Sequence, residues 1–264
     1  MPAFAAPGAR IHYERAGRGV ELLNIGGTGG DLRRPPSSLE WPGAERFDQA
    51  VYDHRGLGRS RAADPQAQPS MADFAADALA LTDHLGWERF SLIGISFGGM
   101  VAQEVAIRAG GRVRRLVLAC TSSGGAGGSS APLHEILAPS AQARAERFVE
   151  LMDTRARTDP ELAAELALLT APLTADVADP RLRLAMARQL EARRHHDTWE
   201  RLRAVDVPTL VAAGRFDGLA PPENSRALAG AIRGARLEVF EGGHAFLVQD
   251  PAAWGVLGDF LVGA

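Results

Sequence analysis

Apolar and polar positions along the chain follow two rhythms. Short runs rich in aliphatic and β-branched residues recur at 10–14, 20–25, 46–52, 90–95, 113–119, 209–213 and 236–240, and their length and composition predict strands. Over 70–85, 97–109, 223–232 and 251–261 the apolar positions are instead spaced three and four apart, which predicts amphipathic helices. Strand alternating with helix implies a largely parallel sheet covered on both faces. The first two runs, joined by short turns, are also compatible with an antiparallel edge.

The alternation stops after Cys120. Gly and Ser dominate the next stretch, Thr121 to Pro132, which reads equally as a linker or a hinge, and strands resume only at about Val207. Within the gap, three sets of residues fall at helical spacing: Phe148, Leu151 and Met152; Leu162, Leu166 and Leu169; Leu182, Met186 and Leu190. The pattern predicts an α/β core, residues 1–124 and 199–264, interrupted by a helical cap at 125–198.

Composition narrows the class of protein. A chain of 264 residues suits one large core with an inserted element, and 46% hydrophobic with 23% charged residues is ordinary for a globular protein. A net charge of -3 with no cluster of basic residues offers no field for a phosphate backbone, so nucleic acid is not an expected partner. Every basic residue is arginine, which together with abundant Ala and Gly suggests a GC-rich coding sequence and carries no function. The single cysteine, Cys120, excludes an intramolecular disulfide. The first residues lack a charged segment followed by a long apolar one, and no stretch of about 18 apolar residues follows, so a cytoplasmic protein without a membrane partner is expected.

Chemistry enters at Gly94-Ile95-Ser96-Phe97-Gly98, placed directly after an apolar strand and before an amphipathic helix. A serine on so sharp a turn needs small residues two before and two after it, because strand and helix approach closely there. The helix N-terminus directs free N–H groups at a reacting carbonyl, and the Phe97 N–H is well placed to hold an oxyanion. A serine hydroxyl also needs a base, and the base needs a group that fixes its tautomer. Asp217, in a Gly- and Pro-rich loop after one predicted strand, and His244, after the next, supply an acid and then a base. After the strand that ends near Cys120, the alternative position for the acid reads Thr121-Ser122-Ser123 and holds no carboxylate. The other six histidines lie in an early strand, a turn, a helix or the cap and read as structural.

These residues resemble the α/β-hydrolase superfamily over nearly the whole chain: GISFGG, GRFDGLAPP and EGGHAF match its three triad positions. The resemblance implies a mostly parallel eight-stranded sheet, with Ser96 as nucleophile, Asp217 as acid and His244 as base. The segment YDHRGLGRS, Tyr52 to Ser60, is similar to the turn after the family's fourth strand, and there Asp53 and Arg55 are expected to organise the turn. In the loop after the third strand, Ile25 stands where the family usually has histidine. By alignment Gly27 supplies the second oxyanion N–H, with Thr28 as the alternative. The short cap and the style of the elbow resemble 3-oxoadipate enol-lactonases, aclacinomycin methylesterase-like enzymes and carbon–carbon hydrolases of ring-cleavage pathways. A serine nucleophile argues against haloalkane dehalogenases and epoxide hydrolases.

The expected activity is hydrolysis of a carboxylic ester or lactone of a small, largely apolar molecule through an acyl-enzyme, with no metal or organic cofactor. Thr28, Leu133, Ile136, Phe148, Met152, Leu219 and Phe246 are the expected substrate-binding residues. Carbon–carbon hydrolysis, perhydrolysis, acyl transfer or cyclisation would use the same triad, and a receptor-like protein with little turnover is the reading from another class. Homo-oligomerisation is left open.

Overall fold

The structure, a computed structural model, describes residues 2–34, 37–136, 140–174 and 178–263. Among these residues the chain builds one sheet. Its strand order is β1 (Ala3–Ala6), β2 (Ala9–Gly17), β4 (Phe47–Tyr52), β3 (Val20–Ile25), β6 (Phe90–Ile95), β7 (Val113–Ala119), β8 (Thr209–Gly214) and β9 (Arg236–Phe240), and the two-residue β5 (Arg61–Ala62) pairs with β2. From β4 to β9 the pairings are parallel, whereas β1 with β2 and β2 with β4 are antiparallel.

The edge differs from the sequence expectation in one respect. The runs at 10–14 and 20–25 do not pair with each other, because β4 lies between them, antiparallel to β2 and parallel to β3. Gly17 and Gly19, both with positive φ, make the turn from β2 to β3, and each Cα packs against a carbonyl at the start of β4, leaving no room for a side chain. The antiparallel partner of β2 on its other side is β1, whose sequence AFAA contains no β-branched residue to announce it.

Alternation of side chains along the parallel strands divides the core in two. Leu23, Leu92, Leu116, Leu118 and Val211 face one layer, packed with α1 (Met71–His84), α2 (Phe97–Arg108) and α7 (Pro222–Ala231). Leu22, Ile93, Val117, Leu210 and Ala212 face the other, packed with Trp41 and α9 (Ala253–Val262). The start of α1 is fixed by a capping box, in which Ser70 accepts from the Asp73 N–H and Asp73 accepts from the Ser70 N–H. The predicted helices at 70–85, 97–109, 223–232 and 251–261 match α1, α2, α7 and α9 to within two residues at each end.

Between β7 and β8 the described helices are α3 (Leu133–Ile136), α4 (Ala141–Met152), α5 (Pro160–Thr174) and α6 (Pro180–Arg194). Leu133, Phe148, Leu151, Met152, Leu166 and Leu190 from these helices form a third apolar cluster that also takes in Leu219 from the core. Leu169 does not join it: Leu166 is buried on that helix while Leu169 is 44% exposed. Several hydrogen bonds fasten α6 to the core, two of them short. Arg181 Nη1 donates to the Gly56 carbonyl at 2.7 Å, and Gln189 Oε1 accepts from the Gly29 N–H at 2.8 Å. Among the described residues, no helix is long and apolar enough to cross a membrane.

Burial also sets two histidines. His54 packs edge-on against Tyr52, Phe74 and Phe97, and His196 lies under the Gly/Ser segment; desolvation lowers the pKa of each from 6.5 to about 4. The unfolded chain therefore takes up these protons near pH 6.5 and the folded chain only near pH 4. Their contribution is fully present above the unfolded value and is lost as pH falls through that window, by at most roughly 1.4 kcal/mol per pH unit for each ring. Asp77, whose carboxyl burial raises to about 6, acts in the opposite sense over the same window, so the histidine contribution is read by difference: in urea unfolding from pH 7.5 to 4.5 wild type is expected to lose more stability than His54→Gln. Gly98 sets a second expectation: a Cβ there would fall onto the carbonyl oxygen of Ile25, so Gly98→Ala is expected to lose about 2 kcal/mol or more in the same assay.

Candidate active site

Strand β6 ends at Ile95, and Ser96 makes the turn into α2 with φ 56° and ψ -116°, a region that non-glycine residues rarely occupy. The turn is held at both of its peptide groups. Ser96 N–H donates to Ala119 O at 2.9 Å, tying it to the end of β7, and Ser96 O accepts from Thr121 Oγ1 at 2.8 Å and from the Gly99 N–H at 2.9 Å. Thr121, at the alternative position for an acid, thus serves as a prop for the elbow. Next to it Cys120 is buried, and burial pushes its thiol well above the usual range, which leaves it unreactive.

Asp217 and His244 meet the serine from the ends of β8 and β9. His244 Nε2 lies 2.9 Å from Ser96 Oγ, and His244 Nδ1 lies 2.8 Å from Asp217 Oδ2. Asp217 is 3% exposed, and its other oxygen accepts from the Leu219 and Ala220 N–H groups at 2.8 and 2.7 Å. With those bonds fixing the carboxylate, Nδ1 is the nitrogen that carries the proton, and Nε2 is left as acceptor for the serine hydroxyl. A serine, an acceptor nitrogen and an anchored carboxylate in one line can deprotonate the hydroxyl as it attacks a carbonyl.

Helix α4 ends against these loops. Its last residues, Leu151 and Met152, present carbonyls that no helical N–H can reach, and these accept from the Gly218 and His244 N–H groups at 3.0 and 2.6 Å. Thr154 N–H then donates to Phe216 O at 2.9 Å. Both the Asp217 loop and the His244 loop are therefore bonded to the end of one helix.

On the other side of Ser96 lies the loop after β3. A Cβ placed on Gly27 would come within 3.5 Å of the Ser96 Cβ, so this loop passes directly beside the serine. As the first residue of α2, Phe97 has an N–H without an intrahelical acceptor. The loop has no histidine of its own, but His54, from the turn after β4, reaches it: His54 Nε2 lies 3.0 Å from Gly26 O, one residue before Gly27. Kept neutral by burial, His54 donates that bond. Its reading as a purely structural turn residue missed this contact, which joins positions 28 residues apart and leaves no local pattern in sequence. Asp53 and Arg55 do organise the turn. Asp53 accepts from the Leu32 and Arg59 N–H groups, and Arg55 grips Asp77 through two bonds of 2.8 Å.

Ser96 and His244 open onto a cavity of about 180 Å³ lined by Gly27, Thr28, Ile95, Leu133, Phe148, Met152, Met186, Leu190 and Leu219. Of the expected substrate-binding residues, Thr28, Leu133, Phe148, Met152 and Leu219 are brought together here. The Ile136 side chain lies outside the described residues. Phe246 is not in the cavity: α8 (Phe246–Gln249) turns its ring into the core, fully buried and stacked on Phe240 at 5.2 Å. Ile95, Met186 and Leu190 were not assigned to the cavity from sequence, although the last two stood out as a helical stripe. Thr28 Oγ1 is buried there with no hydrogen-bond partner among the described residues. Among those residues no group of three or more His, Cys, Asp or Glu side chains is arranged to hold a metal ion.

Comparison with known proteins agrees with this architecture. Residues 22–251 match the alpha/beta hydrolase fold family. The chain is 30% identical over 256 residues to a protein provisionally named carbamate hydrolase RutD from Azorhizobium caulinodans, covering 95% of this chain and 94% of that one. It is 29% identical over 238 residues to the poly(3-hydroxyalkanoate) depolymerase of Ectopseudomonas oleovorans, covering 86% and 78%. Of solved structures, a hydrolase from Pseudomonas aeruginosa PA01 has a TM-score of 0.80 at 28% identity, covering 100% and 98%. The enol-lactonase from Burkholderia xenovorans LB400 shares the fold, with a TM-score of 0.77 at 24% identity, covering 98% and 99%. The family match spans most of the chain and includes β6, α2 and the loops after β8 and β9, and on that ground this chain is an enzyme of the α/β-hydrolase family.

Proposed function

We propose that the protein hydrolyses a carboxylic ester or lactone of a small, largely apolar substrate through an acyl-enzyme on Ser96. The observation that carries the reading is the unbroken line from Asp217 through His244 to Ser96 Oγ, with bonds of 2.8 and 2.9 Å, opening on an apolar cavity. Ser96 Oγ attacks the carbonyl carbon while His244 Nε2 takes the hydroxyl proton. The carbonyl oxygen gathers negative charge against the Phe97 and Gly27 N–H groups. The tetrahedral species collapses, the proton passes from His244 to the departing alkoxide, and the alcohol leaves. Water, deprotonated by the same ring, then releases the acid.

Substrate class follows from the walls. Apart from His244 the cavity lining carries no ionisable side chain among the described residues, so a charged acyl group would lose its hydration without compensation. The Thr28 hydroxyl supports a single polar atom on the substrate, since it has no other partner among the described residues. A carbamate and a polyester, the substrates implied by the names of two relatives, also present a carbonyl next to a heteroatom. The insertion at 125–198 acts in this reading as the cap that shapes the pocket.

Labelling with a fluorophosphonate and turnover of a p-nitrophenyl ester series test the reading together. Wild type is expected to be labelled at Ser96, seen by mass spectrometry. Ser96→Ala is expected to lose both labelling and at least about 10⁴-fold in kcat, and Asp217→Asn a comparable factor. Full ester turnover by Ser96→Ala would overturn the mechanism, and absence of labelling in the folded wild type would favour a binding protein. Leu190→Trp is expected to narrow the cavity and to lower kcat/KM for hexanoate relative to acetate by about tenfold or more.

A further inference from the structure

The Gly/Ser segment after β7 takes no part in the chemistry proposed above. It folds back on itself, with Gly124 N–H donating to Gly128 O at 3.0 Å and the hydroxyls of Ser122 and Ser130 lying 2.8 Å apart. Together with the C-terminal end of α6 it encloses a second cavity of about 120 Å³. Three serines, Ser122, Ser129 and Ser130, contribute to its lining, as do Arg193 and His196, and among the described residues no carboxylate does.

Arg193 is the feature that needs an explanation. The residue is 7% exposed, its Nη1 donates to Ala131 O at 2.8 Å, and its Nε has no partner. No acid pairs with it among the described residues. Taking a guanidinium out of water without a counter-charge costs several kcal/mol, and the group cannot shed its proton to escape: even with burial lowering its pKa to about 10 it is charged at neutral pH. The carbonyl end of α6 returns only about 0.3–1 kcal/mol. Beside it His196, 6% exposed, has no hydrogen bond of good geometry at either ring nitrogen, although the Ser122 backbone favours its protonated form slightly. Of the two hydroxyl protons on Ser122 and Ser130, one is shared between the oxygens and the other is left to donate.

We propose that this cavity binds a small oxyanion, a phosphate or a short carboxylate, held by the Arg193 guanidinium and the Ser122–Ser130 hydroxyl pair. Among the described residues the lining offers N–H and O–H donors and positive charge with no opposing acid, which is the complement of an oxyanion. Its volume, below the roughly 300–1,000 Å³ of sites for drug-sized molecules, excludes a nucleotide. The site is separate from the Ser96 cavity, with which it shares no lining residue.

Thermal unfolding and calorimetric titration of the full chain with inorganic phosphate, and separately with acetate, in chloride buffer of constant ionic strength test this. One or both anions are expected to bind saturably at a single site and to raise Tm by about 5 °C at a hundredfold excess over Kd. A response to phosphate alone or to acetate alone supports the site and identifies its ligand. Arg193→Met is expected to abolish the shift while being no less stable than wild type in anion-free buffer, since it removes an uncompensated charge. Ser130→Leu fills the cavity with Arg193 intact, is expected to abolish the shift as well, and decides the matter if Arg193→Met does not fold. The proposal is overturned if neither anion gives a saturable shift beyond that of chloride, or if the shift persists undiminished in these variants.

Discussion

Where α2 leaves β6, its first turn lies directly against the carbonyls of Ile25 and Gly26, and the position of Ser96 follows from that contact. Only a residue without a Cβ at 98 allows the approach, and the same approach brings the loop of Gly26 and Gly27 alongside the serine. A non-glycine residue at φ 56° is held against roughly 1–3 kcal/mol of backbone strain. Here the restraint comes from Ala119 O on one side of the elbow and from Thr121 on the other. The place of Ser96 and the passage of Gly27 beside it are thus consequences of one backbone crossing.

Much of this was legible in the chain because the responsible contacts are local. Strand β6, the glycines on either side of Ser96 and helix α2 are contiguous, and sheet strands buried on both faces leave apolar runs that sequence displays directly. Asp217 and His244 each follow a strand, so their arrival at one end of the sheet follows from the α/β alternation. Legibility ends where a contact depends on the direction of a side chain in space. Phe246 is two residues from His244, yet the turn of α8 sends its ring to Phe240 and away from the cavity. Met186 and Leu190 were visible as a stripe, but the periodicity of one helix does not say whether its apolar face meets the core or a ligand. β1 was missed for a different reason: four residues rich in alanine make a strand only because β2 offers them a ladder.

Polar groups tell a complementary story. His54 and Gln189 come from distant parts of the chain, and each takes one peptide group of the loop after β3, the Gly26 carbonyl and the Gly29 N–H. A loop of this glycine content would otherwise lose much conformational entropy on adopting a single course. One anchor comes from the core and the other from the inserted helix α6, so the geometry around Gly27 depends on both parts of the chain being folded.

The bonds from Leu151 and Met152 to the N–H groups of Gly218 and His244 bear on how such a chain can be altered. An insertion joined to its host only at its two ends could be exchanged for another as a cassette. This one also accepts hydrogen bonds from the loops that carry Asp217 and His244, so a graft that replaced α4 would strip those loops of their acceptors and shift the imidazole. Variation confined to Met186 and Leu190 on α6 would reshape the cavity wall while keeping both the α4 acceptors and the Gln189 anchor, so the end of α4 is a seam that any exchange has to leave intact.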